Sequence, residues 1–214
     1  MELPPVAVLS QDGAILYIHV VPVPALFDTM VQSWDMTFKD KVTSDYVVGQ
    51  VWGAKDADRF LLDQTRARLD LPGTREAVRS LSARWPKATA KLVEDKANGP
   101  AVIQELRHQL EGLIEVTPEG AKSRGHGVSA IVEAGNVYLP HPAIAPWVEA
   151  WMEEAAAFPN GRHDDQVDAM TQALNRLRQS GGMFHIAESE ILIDPFAIPE
   201  EWPRAFGMAI GPRG

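Results

Sequence analysis

Apolar residues fall into short runs through the first two thirds of this chain and into helical stripes toward its end. Residues 30–34 form a short apolar run closed by Asp35, and residues 46–52 form a second, rich in valine. A turn at Lys55-Asp56-Ala57-Asp58 leads to a third, Phe60-Leu61-Leu62, so the three predict an antiparallel meander. After a break at Leu71-Pro72-Gly73, Thr74 is placed to cap a helix in which Val78, Leu81 and Trp85 keep helical spacing, and Pro86 stops it. Residues 88–93 read as the next strand. Asn98-Gly99-Pro100 then supplies a cap and a first-turn proline to a helix with Ile103, Leu106 and Leu110 on one face. A strand over 113–116, a short helix over 129–133 closed by Gly135, and an edge strand at 137–140 follow, the last confined to an edge by Pro140. Helices are predicted over 147–157 and 166–178, the second with an apolar stripe of Val167, Met170, Leu174 and Leu177.

Three antiparallel strands followed by strands alternating with helices predict an α/β domain on a mixed β-sheet flanked by helices. In such a sheet catalytic residues are expected at strand ends and at a helix start. The pattern divides the chain into a leader segment at 1–29, a domain at 30–180 and an apolar C-terminal appendage at 181–214. Runs such as Ile191-Leu192-Ile193 and Trp202-Pro203 make the appendage too apolar for a simple disordered end, so it is expected to pack or to meet a partner.

With 214 residues, 45% of them hydrophobic, the chain can bury one sizeable core. It has no cysteine, which excludes disulfides and thiolate ligands, makes an oxygen-ligated hard cation the natural metal and fits a cytoplasmic protein. The apolar stretch at 14–27 is broken by His19, Pro22 and Pro24 and has no basic flank, so neither a membrane anchor nor a signal peptide is expected. A net charge of −9 argues against a protein that coats nucleic acid by bulk electrostatics. The basic residues concentrated between Arg59 and Lys96 read mainly as a solvated face.

The acids change the picture. Asp35 and Glu94 each end an apolar strand run, and Asp164, Asp165 and Asp168 cluster at the mouth of the last helix. Carboxylates brought together from three distant segments are the layout of a divalent-metal site for phosphodiester hydrolysis. Two ions roughly 4 Å apart can activate water and stabilise charge on the phosphate, and they need several anionic oxygens to hold them. Asp35 is placed to bridge both ions, with Glu94 and an acid of the Asp164-Asp165 pair taking one each.

Five ordered segments carry a resemblance: Gln32-Ser33-Trp34-Asp35, Thr43-Ser44-Asp45-Tyr46-Val47-Val48-Gly49, Val93-Glu94-Asp95-Lys96-Ala97-Asn98-Gly99, Glu133-Ala134-Gly135-Asn136-Val137-Tyr138-Leu139-Pro140 and His163-Asp164-Asp165-Gln166-Val167-Asp168-Ala169. In this order the chain, over roughly residues 30–177, resembles the C-terminal nuclease domain of tailed-bacteriophage terminase large subunits. The resemblance implies a ribonuclease-H-like fold related to the RuvC resolvases. It implies an endonuclease in the bacterial host that uses two magnesium or manganese ions to cut concatemeric double-stranded DNA during genome packaging, leaving a 3′-hydroxyl. Its implied partners are a packaging ATPase, a portal or a small terminase subunit. No Gly-rich loop followed by Lys-Ser or Lys-Thr occurs, so translocation is expected outside this polypeptide.

The third acid stays open. Helical spacing puts Asp164 and Asp168 on one edge, whereas a RuvC-like spacing favours Asp165 with Asp168; Asp165 ranks first and Asp164 next, and either is also a natural N-cap. Lys96, and Lys122 and Arg124 in a glycine-bearing segment with His126, are candidate DNA contacts, and His163 reads as structural. Two other function classes remain: a non-enzymatic interaction module that keeps the fold, and a RuvC-like resolvase acting on branched DNA.

Overall fold

The computed structural model describes residues 6–9, 15–18, 21–36, 46–94, 99–117, 128 and 130–180. The chain divides into two compact units, one spanning Leu26–Ala187 and the other drawn from residues 1–25 and 188–214. Of the second unit, the main described element is an antiparallel hairpin of β1 (Val6–Leu9) and β2 (Ile15–Ile18), with Val6 opposite Ile18 and Leu9 opposite Ile15. The sequence reading assigned no strands there. The apolar tail beyond residue 180 and the basic segment at 118–127 lie outside the described residues, as do residues 95–98.

The larger unit is built on a six-stranded mixed sheet in the order β7-β6-β3-β4-β5-β8. Its strands are β3 (Thr29–Met36), β4 (Val47–Lys55), β5 (Asp58–Ala67), β6 (Ala90–Glu94), β7 (Leu113–Val116) and β8 (Val137–Tyr138). The meander is present as expected: β3 pairs antiparallel with β4, and β4 with β5, while β6 runs parallel to β3 and β7 parallel to β6. β5 continues well past the apolar Phe60-Leu61-Leu62 run, because its second half carries polar residues used by the neighbouring helices. The short β8 lies parallel to β5 at the sheet edge, where the following Pro140 costs no ladder bond.

Helices cover both faces. α1 (Leu71–Arg84) starts four residues earlier than a cap at Thr74 implies. Asp70, not Thr74, is its N-cap: the Asp70 carboxylate accepts the Gly73 N–H at 2.8 Å, and Pro72 sits in the first turn, where its missing donor costs nothing. Thr74 is buried and donates its hydroxyl to the Asp70 carbonyl. α2 (Gly99–Leu106) buries Ile103 and Leu106, and Leu110 lies beyond its end. α3 (Val148–Ala157) and α4 (Asp165–Ser180) follow. No helix among the described residues is long and apolar enough to cross a membrane.

Alternation along β3 separates the two layers. Val31 belongs to a core with Trp52, Leu61, Trp151 and the α4 stripe of Val167, Met170, Leu174 and Leu177. The alternate residues face α1: the Gln32 side chain accepts from the Ser82 hydroxyl of α1 and from the Trp34 indole N–H. Trp34 is fully buried because its cross-strand partner is Gly49, where a Cβ would lie 2.4 Å from the indole ring. At Gly112 a left-handed backbone (φ 74°) brings the chain so close to the Thr89 carbonyl that no side chain fits, and the Gly112 carbonyl accepts the Lys91 N–H that extends the β6–β7 ladder.

Candidate metal centre

Strand pairing brings two of the acids together. In the parallel β3–β6 ladder Trp34 stands beside Val93, so one step further along both strands Asp35 stands beside Glu94. Parallel neighbours at one register point to one face, and both acids sit at the C-terminal ends of their strands. Both are buried, at 5% and 4% exposure.

The third acid comes from α4, and its position is set one rung back. Ser33 and Asp35 are two apart on β3 and so share a face, separated by about 6.7 Å along the strand. Gln172 and Asp168 are four apart on α4 and share an edge, separated by about 6 Å along the helix. Gln172 donates its side-chain amide to the Ser33 hydroxyl at 2.9 Å. With that rung fixed, the matching rises lay Asp168 over Asp35. Asp35, Glu94 and Asp168 each present a carboxylate oxygen, all within 4.8 Å of one another.

A polar network fixes where α4 starts. The Gln166 N–H donates to Glu154 of α3 at 2.7 Å, and the Gln166 side-chain amide donates to the other oxygen of the same carboxylate at 2.7 Å. Arg66 of β5 pairs with Glu154 at 3.1 Å. Gln50 donates to the Gln166 carbonyl at 3.0 Å and to the Gln64 side chain, and Gln64 donates to the Gln166 side chain at 2.8 Å. Glu154 thus satisfies an orphan N–H of the first helical turn and places negative charge near the positive end of the helix dipole.

The other predicted acids sit differently. Asp164 is exposed, and its carbonyl accepts the Asp168 N–H at 2.8 Å, so it precedes the helix as the cap. Asp165 is buried at 3% exposure with its Oδ2 3.7 Å from His163 Nδ1. The geometric group therefore draws on Asp168, one of the three alternatives the sequence left open, while Asp164 and Asp165 fall outside it. Lys96, Lys122, Arg124 and His126 lie outside the described residues. Sequence reasoning passed over Glu154, Gln166, Gln172, Gln50 and Ser33. The signal available was a glutamine inside the valine run of β4, a residue that breaks an apolar strand only where a partner waits.

The donor set suits a hard divalent cation. Oxygens on one ion at 2.0 to 2.1 Å can be no more than roughly 4.2 Å apart, close to the 4.8 Å within which these carboxylate oxygens lie. Like charges at such distances repel by on the order of a few kcal/mol per pair in a medium of effective dielectric near 20, a cost a dication offsets.

The sheet order, with the meander β5-β4-β3 continued by parallel β6 and β7, and the acids at the ends of its two central parallel strands, agree with a family match. The family model of the terminase RNaseH-like domain matches residues 32–177. The chain belongs to this family. Among solved structures, the large terminase nuclease domain of bacteriophage SPP1, determined with bound manganese, is 17% identical, covering 71% of this chain and 88% of that one with a TM-score of 0.51. The large terminase nuclease of thermophilic phage G20c, with bound zinc, is 16% identical over 69% of this chain and 81% of that one, with a TM-score of 0.52. The large terminase of a second thermophilic bacteriophage gives a TM-score of 0.54 at 16% identity, with 82% of this chain covering 46% of that longer one. At such identities the likeness speaks for the ribonuclease-H-like fold. Among curated protein sequences nothing matches.

Proposed function

We propose that this terminase RNaseH-like domain is a divalent-metal-dependent endodeoxyribonuclease that cuts concatemeric viral DNA during genome packaging in the bacterial host. One observation carries the reading: in a chain of this family, Asp35, Glu94 and Asp168 converge within 4.8 Å from two adjacent parallel strands and a helix. Asp35 is central, beside Glu94 in the sheet and beneath Asp168 of α4, and is the residue suited to bridge two magnesium or manganese ions. Glu94 and Asp168 would each hold one. Ions held there would polarise the scissile phosphate and make water a better nucleophile at neutral pH. The chain's own contribution is rigidity: Asp35 and Glu94 are fixed by the ladder, and Asp168 by the Gln172–Ser33 and Gln166–Glu154 bonds.

A net charge of −9 implies weak intrinsic affinity for DNA, so a packaging ATPase, portal or small terminase subunit would hold the domain on its substrate. The test is nicking and linearisation of plasmid in manganese, magnesium or EDTA, with wild type beside Asp35→Asn, Glu94→Gln, Asp168→Asn, Asp165→Asn and Asp164→Asn, each confirmed folded. Metal-dependent cleavage lost in the first three and retained in Asp164→Asn is the expected result. A folded wild type that cuts nothing in any metal would return the reading to a non-enzymatic interaction module. Preference for branched over linear duplex would favour the resolvase.

A further inference from the structure

The acid cluster repels a polyanion until cations offset its charge, and the chemistry proposed above gains from fixed positive charge beside it. β5 supplies some. Between Val51 and Trp52 the β4–β5 register slips: Trp52 pairs with Leu61 but Val51 with Asp63, leaving Leu62 as an extra residue in β5. The bulge changes which β5 residues share a face. Before it, Leu61 packs in the α4-side core; after it, Gln64 bonds Gln166 of α4, whereas Asp63 points the other way and accepts from Arg84 and Trp85 at the end of α1. Arg66 and Arg68 follow Gln64 at steps of two and therefore fall on the acid face. Without the extra residue they would sit on the α1 face.

Their position along the sheet is equally specific. Val48 pairs with both Asp35 and Arg66, so Asp35, Val48 and Arg66 form one row across three strands, with Arg66 roughly 10 Å from Asp35 at two strand spacings. One step beyond the Val47–Ala67 pair, Tyr46 stands opposite Arg68. Both guanidinium groups lie over the Tyr46 ring, at 3.8 Å for Arg66 and 4.5 Å for Arg68, and the His163 ring meets the same tyrosine edge-on at 5.4 Å. Arg66 is held from behind by Glu154, and its buried Nε has no hydrogen-bond partner among the described residues. Arg68 is exposed. Two cations gathered on one aromatic face repel each other, and a stacked guanidinium keeps its N–H fork in the plane that matches a phosphate.

We propose that Tyr46, Arg66, Arg68 and His163 form a contact site for a backbone phosphate of DNA, flanking the position at which cations on Asp35, Glu94 and Asp168 would meet the scissile phosphate. The inference rests on the nuclease reading for the identity of the nucleic acid. Arg68 makes the contact, Tyr46 orients it, and Glu154 fixes Arg66 beneath. A contact of this kind carries no base information and sets where along the strand the acids act.

The experiment is fluorescence anisotropy of a short labelled duplex in calcium, with salt varied between roughly 50 and 200 mM, the range over which phosphate contacts are read from the slope of log K against log salt. Arg68→Gln is expected to weaken binding severalfold and to reduce the steepness of that slope by about one, while Arg68→Lys keeps the slope. Lys87→Gln, an exposed charge before β6 at the far end of that strand, serves as the bulk-charge control and keeps the slope. Manganese titration without DNA is expected to be the same for wild type and Arg68→Gln. An unchanged slope in folded Arg68→Gln, or a wild type that binds no duplex at the lowest salt, overturns the site. The two readings fail separately. A wild type that cuts plasmid beside an unchanged slope removes the phosphate site alone, and a wild type with the expected slope change that cuts nothing removes the nuclease alone.

Discussion

β3 has an aspartate near each end, and the two meet different neighbours. Asp28, just before the strand, is half exposed, pairs with Lys55 at 2.8 Å and accepts the Asp56 N–H at 2.8 Å. Asp35, near its other end, is buried among like charges, with Glu94 and Asp168 oxygens within 4.8 Å. The residue type and the strand are the same, so the difference lies in what the topology brings alongside. The β4–β5 turn brings a lysine to Asp28, whereas a parallel crossover and the last helix bring two more acids to Asp35. Local pairing is a device of stability; converging like charge is tolerated where a cation is to be held.

The comparison breaks most visibly at Asp35. Asp35→Asn is expected to lower plasmid cleavage by about 10³-fold, the equivalent of the several kcal/mol a metal site contributes to the transition state. Manganese should also raise the thermal midpoint of wild type by more than that of the variant, since one of the three candidate ligand carboxylates is gone. Thermal unfolding with and without manganese checks this, and an equal manganese shift in the two proteins would contradict Asp35 as a ligand.

Next in size is Glu154, which resembles Asp28 in being fully paired but is buried. Glu154→Ala leaves the Gln166 N–H and Arg66 without their acceptor and is expected to cost about 2 to 3 kcal/mol, less than a fully buried pair because Arg66 is partly solvated. Denaturant unfolding measures it. Gln172→Ala, which removes one neutral bond to Ser33, should cost about 1 kcal/mol. It should also weaken manganese binding measured by titration, because the rung that aligns Asp168 is lost. A loss of stability with unchanged manganese affinity would separate Gln172 from the site.

These residues also mark how far the sequence could be read. The meander, the parallel strands and the α4 stripe were legible because their apolar periods are strong, and Asp35 and Glu94 were legible because each closes such a run. Asp168 was harder. Choosing among three acids at one helix mouth depends on the rotation of α4 about its axis, which long-range bonds from Gln172 and Gln166 set, and no local pattern encodes those bonds. The Asp70 cap was missed because Pro72 looked like a break rather than a first turn. The β1–β2 hairpin was missed although Asp12-Gly13 between two apolar runs is a hairpin signal. The β5 bulge left no trace that alternation could follow, because polar residues after it serve both layers.

The smallest expected effect lies at Asp28. The hydrogen bond from Lys55 and the Asp56 N–H hold its carboxyl below the usual 3.8, and the same bond with Asp28 holds the Lys55 amine above its usual 10.5. A carboxyl with a lowered folded-state value binds fewer protons folded than unfolded, so its contribution is present in full above the unfolded value and is lost as pH falls through the folded one. For Lys55 the sign reverses: its contribution is complete below the unfolded value and is lost as pH rises through the folded one. The pair is exposed and screened, so Asp28→Asn should lower the thermal midpoint at pH 7 by less than Glu154→Ala or Gln172→Ala. The difference from wild type should fade as pH drops below 3.8 and also above 10.5, where one partner or the other has lost its charge. Thermal midpoints of both proteins across that range in low salt test it. A difference that stays constant with pH would mean that Asp28 acts through the turn it closes with Asp56 and not through its charge.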